Sequence, residues 1–225
     1  MNYGTPKVVS ADSLEWLSNF DGHMEAVYTG IPDAAEVGLD IESYAVWFDT
    51  VMEKILEKTS SDGFVIIQVT DRKAGGKQFS KSNRILNAAD RKGWSLLWHK
   101  IVLKRKPGST DLMRVSYSHL ICLSVSRTVG RAFPDVIESG SMWYKNGTGE
   151  NSVTLVGEYL VSMGVGKAYD LFCGRGTVGY IFSLLGIDTV NIDIDADQVE
   201  ETRKVLSSLP RWTLLNFNDG VNDEY

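Results

Sequence analysis

Tyr169-Asp170-Leu171-Phe172-Cys173-Gly174-Arg175-Gly176-Thr177-Val178-Gly179-Tyr180 reads as a strand that runs through a glycine turn into a helix. Gly174, Gly176 and Gly179 satisfy a G-x-G-x-x-G count, and Asp193 stands near where a ribose-binding acid belongs in such a unit. Taken alone, that spacing fits a dinucleotide site. The carboxylate of Asp170 argues the other way. A dinucleotide places a pyrophosphate dianion at the helix N-terminus, and a carboxylate at the mouth of the turn repels it. A cationic nucleoside without phosphates suits the same turn, and glycines allow the backbone to approach it closely.

Behind the turn the pattern predicts a helix over 177–185, a strand over 189–194 and a helix over 196–208, with residues after Leu215 reading as a frayed acidic tail. Ahead of it, strands are predicted at 7–11 (ending at Asp12), 24–29 (closing at Gly30-Ile31-Pro32-Asp33), 64–70, 94–103 and 115–125. The 64–70 run is almost continuously apolar and bounded by turn residues, as expected of a parallel strand covered on both faces. Tyr44, Trp47, Phe48, Val51, Ile55 and Leu56 recur at helical spacing within 41–58, and further helices are expected at 13–20, 82–92 and 152–163. Ser61-Asp62-Gly63 reads as punctuation after the long helix, 71–81 as a Gly- and Lys-rich loop and 126–149 as the longest loop. The expected class is α/β, a Rossmann-like, doubly wound, mostly parallel sheet with one antiparallel strand supplied by the short return near residue 115. Ligands then bind beyond the carboxyl ends of the strands.

Asp170-x-Phe172-x-Gly174-x-Gly176-Thr177, followed by Asn191-Ile192-Asp193, resembles the cofactor motif and ribose acid of the permuted, β-type N6-adenine and N4-cytosine DNA methyltransferases. Residues 8–16 are similar to that family's opening strand and its "gDsle" turn, 63–69 to its central strand, and Ser118-His119-Leu120-Ile121-Cys122-Leu123 to its antiparallel return strand, so the likeness spans about 7–208. The resemblance implies a seven-stranded sheet in circularly permuted methyltransferase order, S-adenosylmethionine as cofactor, and the amino group of a base in DNA or RNA as acceptor. It further implies that Asp170 holds the methionine amino group, that Phe172, Gly174, Gly176 and Thr177 surround the methionyl part, and that Asp193 accepts from the ribose hydroxyls. Asp12, with Ser13 beside it, would face the adenine amino group. By residue type alone, Asp12 and Asp193 also suit helix capping.

The family's catalytic loop, Asp/Ser/Asn-Pro-Pro-aromatic, falls on Gly30-Ile31-Pro32-Asp33. Glycine stands at the acceptor position and Asp33 at the base-stacking position, so neither side-chain function carries over. Pro32 and Asp33 remain the candidate catalytic residues: Asp33 or Glu36 polarises or deprotonates the nucleophile while carbonyls near Pro32 orient it. Residues 146–159 lack the family's His-Pro-x-x-Lys-Pro stretch. Three readings stay open: a nucleic-acid methyltransferase, a noncatalytic methyltransferase-like subunit or nucleic-acid-binding scaffold, and a dinucleotide-dependent oxidoreductase, which the charge at Asp170 disfavours.

The 225 residues, 43% hydrophobic and 23% charged, suit one globular domain spanning 1–225. No apolar run approaches the roughly 20 residues that span a bilayer, and 1–6 is polar, so a soluble intracellular protein, cytoplasmic or nuclear, is expected. The net charge of -6 hides a segregation. Eleven Lys or Arg and one acid, Asp90, lie between Arg72 and Lys106, which makes that segment +10 and the remainder -16. Arg72, Lys73, Lys77, Lys81, Arg84, Lys104, Arg105 and Lys106 are therefore the candidate nucleic-acid contacts, and a solvated face is the alternative. Only modest loops interrupt the pattern, so strong sequence specificity in duplex DNA is not expected, and a structured RNA or a protein partner would supply target recognition. Trp47, Trp94, Trp98 and Phe182 belong to the core, whereas Trp143 and Tyr144, in the long polar loop, are candidates for stacking on a base. Cys122 and Cys173 read as small buried residues; His23, His99 and His119 show no ligand spacing, and no metal is expected.

Overall fold

The computed structural model describes residues 3–112 and 115–209; the tail expected after Leu215 lies outside the described residues. Its main sheet has eight strands: β1 (Pro6–Ser10), β2 (Met24–Thr29), β3 (Thr59–Val69), β6 (Ser95–Leu103), β7 (Tyr117–Ser124), β8 (Val136–Glu138), β9 (Lys167–Asp170) and β10 (Asp188–Asp193). They lie in the order β1-β10-β9-β2-β3-β7-β6-β8. β7 alone runs against its neighbours, β3 on one side and β6 on the other. The seven expected strands are all present, in the permuted order. The eighth, β8, pairs parallel to β6 at the edge and comes from the stretch read as a long loop. A separate two-stranded ribbon, β4 (Arg72–Ala74) and β5 (Lys77–Phe79), rises from the Gly- and Lys-rich loop.

Helices α1 (Ser13–Asn19), α2 (Ile41–Lys58) and α3 (Lys81–Arg91) pack on one face, where Leu17, Tyr44, Phe48, Val51, Ile55, Ile85 and Ala88 meet Val27, Val65, Ile67 and Ile121. Helices α4 (Glu150–Ser162) and α5 (Thr177–Leu184) cover the other face, with Val153, Val156, Leu160, Val178 and Phe182 set against Ala26, Tyr28, Phe64, Ile66 and Leu120. α6 (Ala196–Ser207) lies beside α5 and against β1 and β10. Period-two alternation along β2 and β3 splits their side chains between these two cores, which is why both strands read as nearly continuous apolar runs. Trp94, Trp98 and Phe182 are buried, as expected, and both cysteines are buried and free.

One boundary is corrected. Ser61-Asp62-Gly63 does not separate helix from strand; α2 passes straight into β3, and these residues form an irregular start to the strand, where the β2–β3 register shifts between Met24 and Ala26. Gly63 permits this because a Cβ there would lie 2.6 Å from the Glu25 carbonyl oxygen. The chain crosses to opposite sides of the sheet from β9 and from β2, so the two strands part there and leave a crevice above their carboxyl ends. Among the described residues no helix is long and apolar enough to cross a membrane.

Candidate cofactor crevice and acceptor loop

Asp170 ends β9 inside this crevice and is 3% exposed. Its Oδ1 accepts from the Thr29 hydroxyl at 2.8 Å and from the Phe172 amide at 3.4 Å, and no lysine or arginine pairs with it among the described residues. Burial pushes the carboxyl up to about 7 against the pull of those two hydrogen bonds, with the Asp193 charge adding to the rise. Thr29, the last residue of β2, thus ties the two strands together at the point where they diverge. Sequence reading passed it over, although a hydroxyl at the end of an apolar strand was the available signal.

The glycine turn is closed on itself. The Gly174 amide donates to Asp193 Oδ2 at 2.8 Å, the Arg175 amide to the Tyr144 hydroxyl, and the Gly176 amide to the Cys173 carbonyl at 3.0 Å. Gly174 and Gly176 adopt φ of 55° and 82°, so side chains there would be strained. An added Cβ would collide with Tyr144 Oη at the first position and would stand 2.8 Å from Thr202 Cγ2 at the second. The turn's own groups, then, demand the glycines. The amides of Gly174, Arg175 and Gly176 are engaged, and the two carboxylates alongside repel a pyrophosphate. The first turn of α5 has no side-chain cap, and the hydroxyl of Thr177 at its start is buried without a hydrogen-bond partner. Those donors are left for a ligand.

Asp193 is mostly buried, and burial is the main reason its carboxyl is raised. Its two oxygens accept from Gly174 and from the Asp195 amide, so it organises the turn. Asp12 caps α1 by accepting from the Glu15 amide at 2.9 Å, and the buried Ser13 hydroxyl donates to the Leu171 carbonyl. Tyr144 is laid over the turn, with the Arg175 guanidinium 5.6 Å from its ring. Burial is the leading cause that lifts its hydroxyl to about 12. Trp143 packs edge-on against Tyr180 and donates to Glu150. Beside them a cavity of about 340 Å³ opens between Glu36, Asn146, Arg175, Asp195 and Glu201.

The loop after β2 is held at four points. The Tyr44 hydroxyl donates to the Pro32 carbonyl at 2.7 Å, and the Glu36 side chain accepts from the Asp33 amide at 2.6 Å while the Glu36 amide donates to the Asp33 carbonyl at 2.8 Å, closing a turn. Asp33 Oδ1 pairs with the ammonium of Lys81, and Thr29 is fixed by Asp170. Lys81 is 2% exposed, which corrects its assignment as a phosphate contact: the ammonium faces inward, to Asp33 and the Tyr44 ring. Asp71, just past β3, anchors the start of α3 by accepting from the Lys81 and Ser82 amides; it also accepts from Gln78 and stands 3.5 Å from His119 Nε2. Burial opposes the charge on Asp71, but the His119, Gln78 and Ser82 hydrogen bonds outweigh it and hold the carboxyl well below its usual range.

The other basic candidates reach the same edge of the sheet. Lys77, Lys104, Arg105 and Lys106 are exposed, and Arg72 and Lys73 are half-buried on the ribbon, where Lys73 donates to the Asp111 carbonyl. Arg105 pairs with Asp111, and Arg84 with Asp49 across α2 and α3. Among the described residues no group of three or more His, Cys, Asp or Glu could hold a metal ion.

Sheet order and the crevice above β9 and β2 together define the fold of the Rossmann-like DNA methyltransferases. Among solved structures the chain is similar to TTHA0409 of Thermus thermophilus, whose assignment as a DNA modification methylase is provisional, at 17% identity over 92% of this chain and 96% of that one, with a TM-score of 0.70. Its complex with S-adenosyl-L-methionine gives 16% identity, coverages of 92% and 95%, and a TM-score of 0.69. The cytosine-N4-specific PvuII DNA methyltransferase is 13% identical, with coverages of 96% and 92% and a TM-score of 0.70. At these identities the likeness is one of fold. No family model matches the chain, and no curated protein matches it.

Proposed function

We propose that this chain binds S-adenosylmethionine above β9, β10 and β2 and transfers its methyl group to a nucleic acid, at the amino group of a base. One observation carries the reading. Asp170 is a buried carboxylate with no cation beside it, at the strand junction where folds of this kind bind ligands. An ammonium is the group such a carboxylate lacks, and the methionyl part of the cofactor supplies one. Around it, the α5 N-terminus and the Thr177 hydroxyl suit a carboxylate, Gly174, Gly176 and Phe172 border the methionyl part, and Asp193 and Asp12 face the nucleoside. When bound, the cofactor supplies an electrophilic methyl group. For the acceptor, Asp33 Oδ1 is engaged by Lys81, which leaves Oδ2 to accept from an amino group, and the Ile31 carbonyl lies two residues before it. The exposed Lys77, Lys104, Arg105 and Lys106 at the same edge would hold phosphates.

Calorimetric titration with S-adenosylmethionine, S-adenosylhomocysteine and NAD tests the cofactor assignment: the first two bind and NAD does not. Binding of NAD alone would overturn it. A second reading, a noncatalytic subunit that binds cofactor and nucleic acid beside a partner, is favoured by the glycine at position 30 and the ion pair on Asp33. Labelled methyl groups appearing in DNA or RNA eliminate that reading; cofactor binding without any transfer establishes it.

A further inference from the structure

The loop after β2 keeps one of the two prolines that the resemblance leads one to expect, and it has no aromatic residue at its end. A loop so released should wander, yet this one is fixed at the Thr29 hydroxyl, the Pro32 carbonyl and both sides of Asp33. We propose that Lys81 is the positioning residue of this loop: from the start of α3 its buried ammonium reaches under Asp33 and sets the carboxylate toward the acceptor side of the crevice. The inference rests on reading residues 30–33 as the acceptor-facing loop.

Three observations support it. The first is burial, since a lysine is almost never 2% exposed unless its charge is compensated, and among the described residues Asp33 is the one carboxylate paired with it. The second is asymmetry: Asp33 is 42% exposed, so the lysine is held by the protein while the carboxylate is presented outward. The third is the backing of the lysine itself. Its amide donates to Asp71 Oδ1 at 2.9 Å, Asp71 is fixed in turn by Ser82, Gln78 and His119, and the Tyr44 ring lies 5.6 Å from the ammonium while the Tyr44 hydroxyl holds Pro32. One buried cluster thus grips the loop by a side chain and a carbonyl at once. A lysine built for phosphates would point the other way.

The test compares Lys81→Met, Lys81→Arg and Asp33→Asn with the parent full-length protein by three measurements. Hydrogen exchange at the Asp33, Glu36 and Val37 amides should accelerate at least tenfold in Lys81→Met and in Asp33→Asn, with Lys81→Arg close to the parent and the amides in the middle of α3 unchanged. Protection at those amides that is unaltered in both Lys81→Met and Asp33→Asn overturns the proposal, as does acceleration spread equally through α3, which marks a purely structural lysine. The salt dependence of nucleic-acid binding should be the same in Lys81→Met as in the parent; a slope reduced by ~0.9 would make Lys81 a phosphate contact and overturn the assignment. Titration with S-adenosylhomocysteine should give a dissociation constant within threefold of the parent for Lys81→Met, because the pair lies outside the Asp170 pocket; a larger loss overturns its confinement to the acceptor loop. A parent protein that fails to bind S-adenosylhomocysteine defeats the cofactor reading, and the exchange pattern still decides the role of Lys81 in the loop.

Discussion

Ionising Asp170 inside the protein sets a carboxylate against burial with only a hydroxyl and an amide to help, and the consequence for stability has a definite sign. The folded-state pKa, about 7, stands above the ordinary 3.8. Between these values the folded chain keeps a proton that the unfolded chain has released, so stability falls as pH rises through that window and levels off above it. Asp170→Asn keeps an acceptor for Thr29 and Phe172 and removes the charge, and should therefore be more stable than the parent at pH 8, by on the order of 4 kcal/mol, with little difference at pH 4. Urea unfolding at the two pH values measures this. The same variant should lose S-adenosylmethionine, because an amide cannot neutralise an ammonium. A group that weakens the fold and is needed for the ligand is one retained for function; a variant that is less stable at pH 8 would instead make the carboxylate a structural part. In the parent, ligand affinity should fall as pH drops below 7, by up to about tenfold per unit, and binding there should release a proton, visible as heats that depend on the buffer. That Asp170 ends a strand beside the glycine turn was legible from the sequence, because the apolar run and the glycines after it bracket the position. The dual duty of Asp193 and the inward turn of Lys81 were not, since both depend on which groups a distant part of the chain brings near.

Helix periodicity placed α2, α4, α5 and α6 within a residue or two, because each buries one stripe against the sheet and the stripe fixes its register. Short strands leave a weaker trace. β8 has three residues and is a strand only by virtue of pairing with β6, and the ribbon of β4 and β5 was passed over even though Gly75-Gly76, at φ of 56° and 73°, forms the tight turn that such a hairpin needs. No side-chain neighbour lies within 4 Å of where a Cβ would stand on either glycine, so the ribbon tip is open to a partner. Replacing Lys77, Lys104, Arg105 and Lys106 by neutral residues should weaken nucleic-acid binding and flatten its logarithmic salt slope by up to ~0.9 for each phosphate no longer neutralised. An unchanged slope would mark these lysines and arginines as a solvated face. Within α5, Gly179 lies against Asn191, and an added Cβ would collide with Asn191 Oδ1. Asn191 is fully buried and its amide nitrogen donates to Lys7 and Thr189, so it has little room to yield. Gly179→Ala should therefore destabilise the protein by about 1–3 kcal/mol despite alanine's better helix propensity, as judged from the denaturant midpoint.

Strand order was legible because the chain lays down its cofactor strand β9 late, well after β2 on one side of it and just before β10 on the other, and a doubly wound sheet then has few ways to close. The order places β9 between β10 and β2, and every group assigned to the ligand follows one of those strands or β1. Such a crevice is formed only when the sheet is complete, since Asp170, Thr29, Asp12 and Asp193 come from segments far apart in sequence. Ligand binding must then act on folding as a unit. At a ligand concentration one hundred times the dissociation constant, linkage adds about 2.7 kcal/mol to the folded state. For a chain of this size each kcal/mol moves the melting temperature by about 2–4 °C, so saturating S-adenosylmethionine or S-adenosylhomocysteine should raise it by roughly 5–10 °C. NAD at equal concentration should leave it where it was, because Asp170 and Asp193 repel a pyrophosphate and Gly174, Arg175 and Gly176 have already committed their amides to Asp193, Tyr144 and Cys173. Thermal scans with the three ligands decide the matter. A rise produced by NAD would show the turn opening to take a pyrophosphate, and a melting temperature that ignores all three would defeat the cofactor reading.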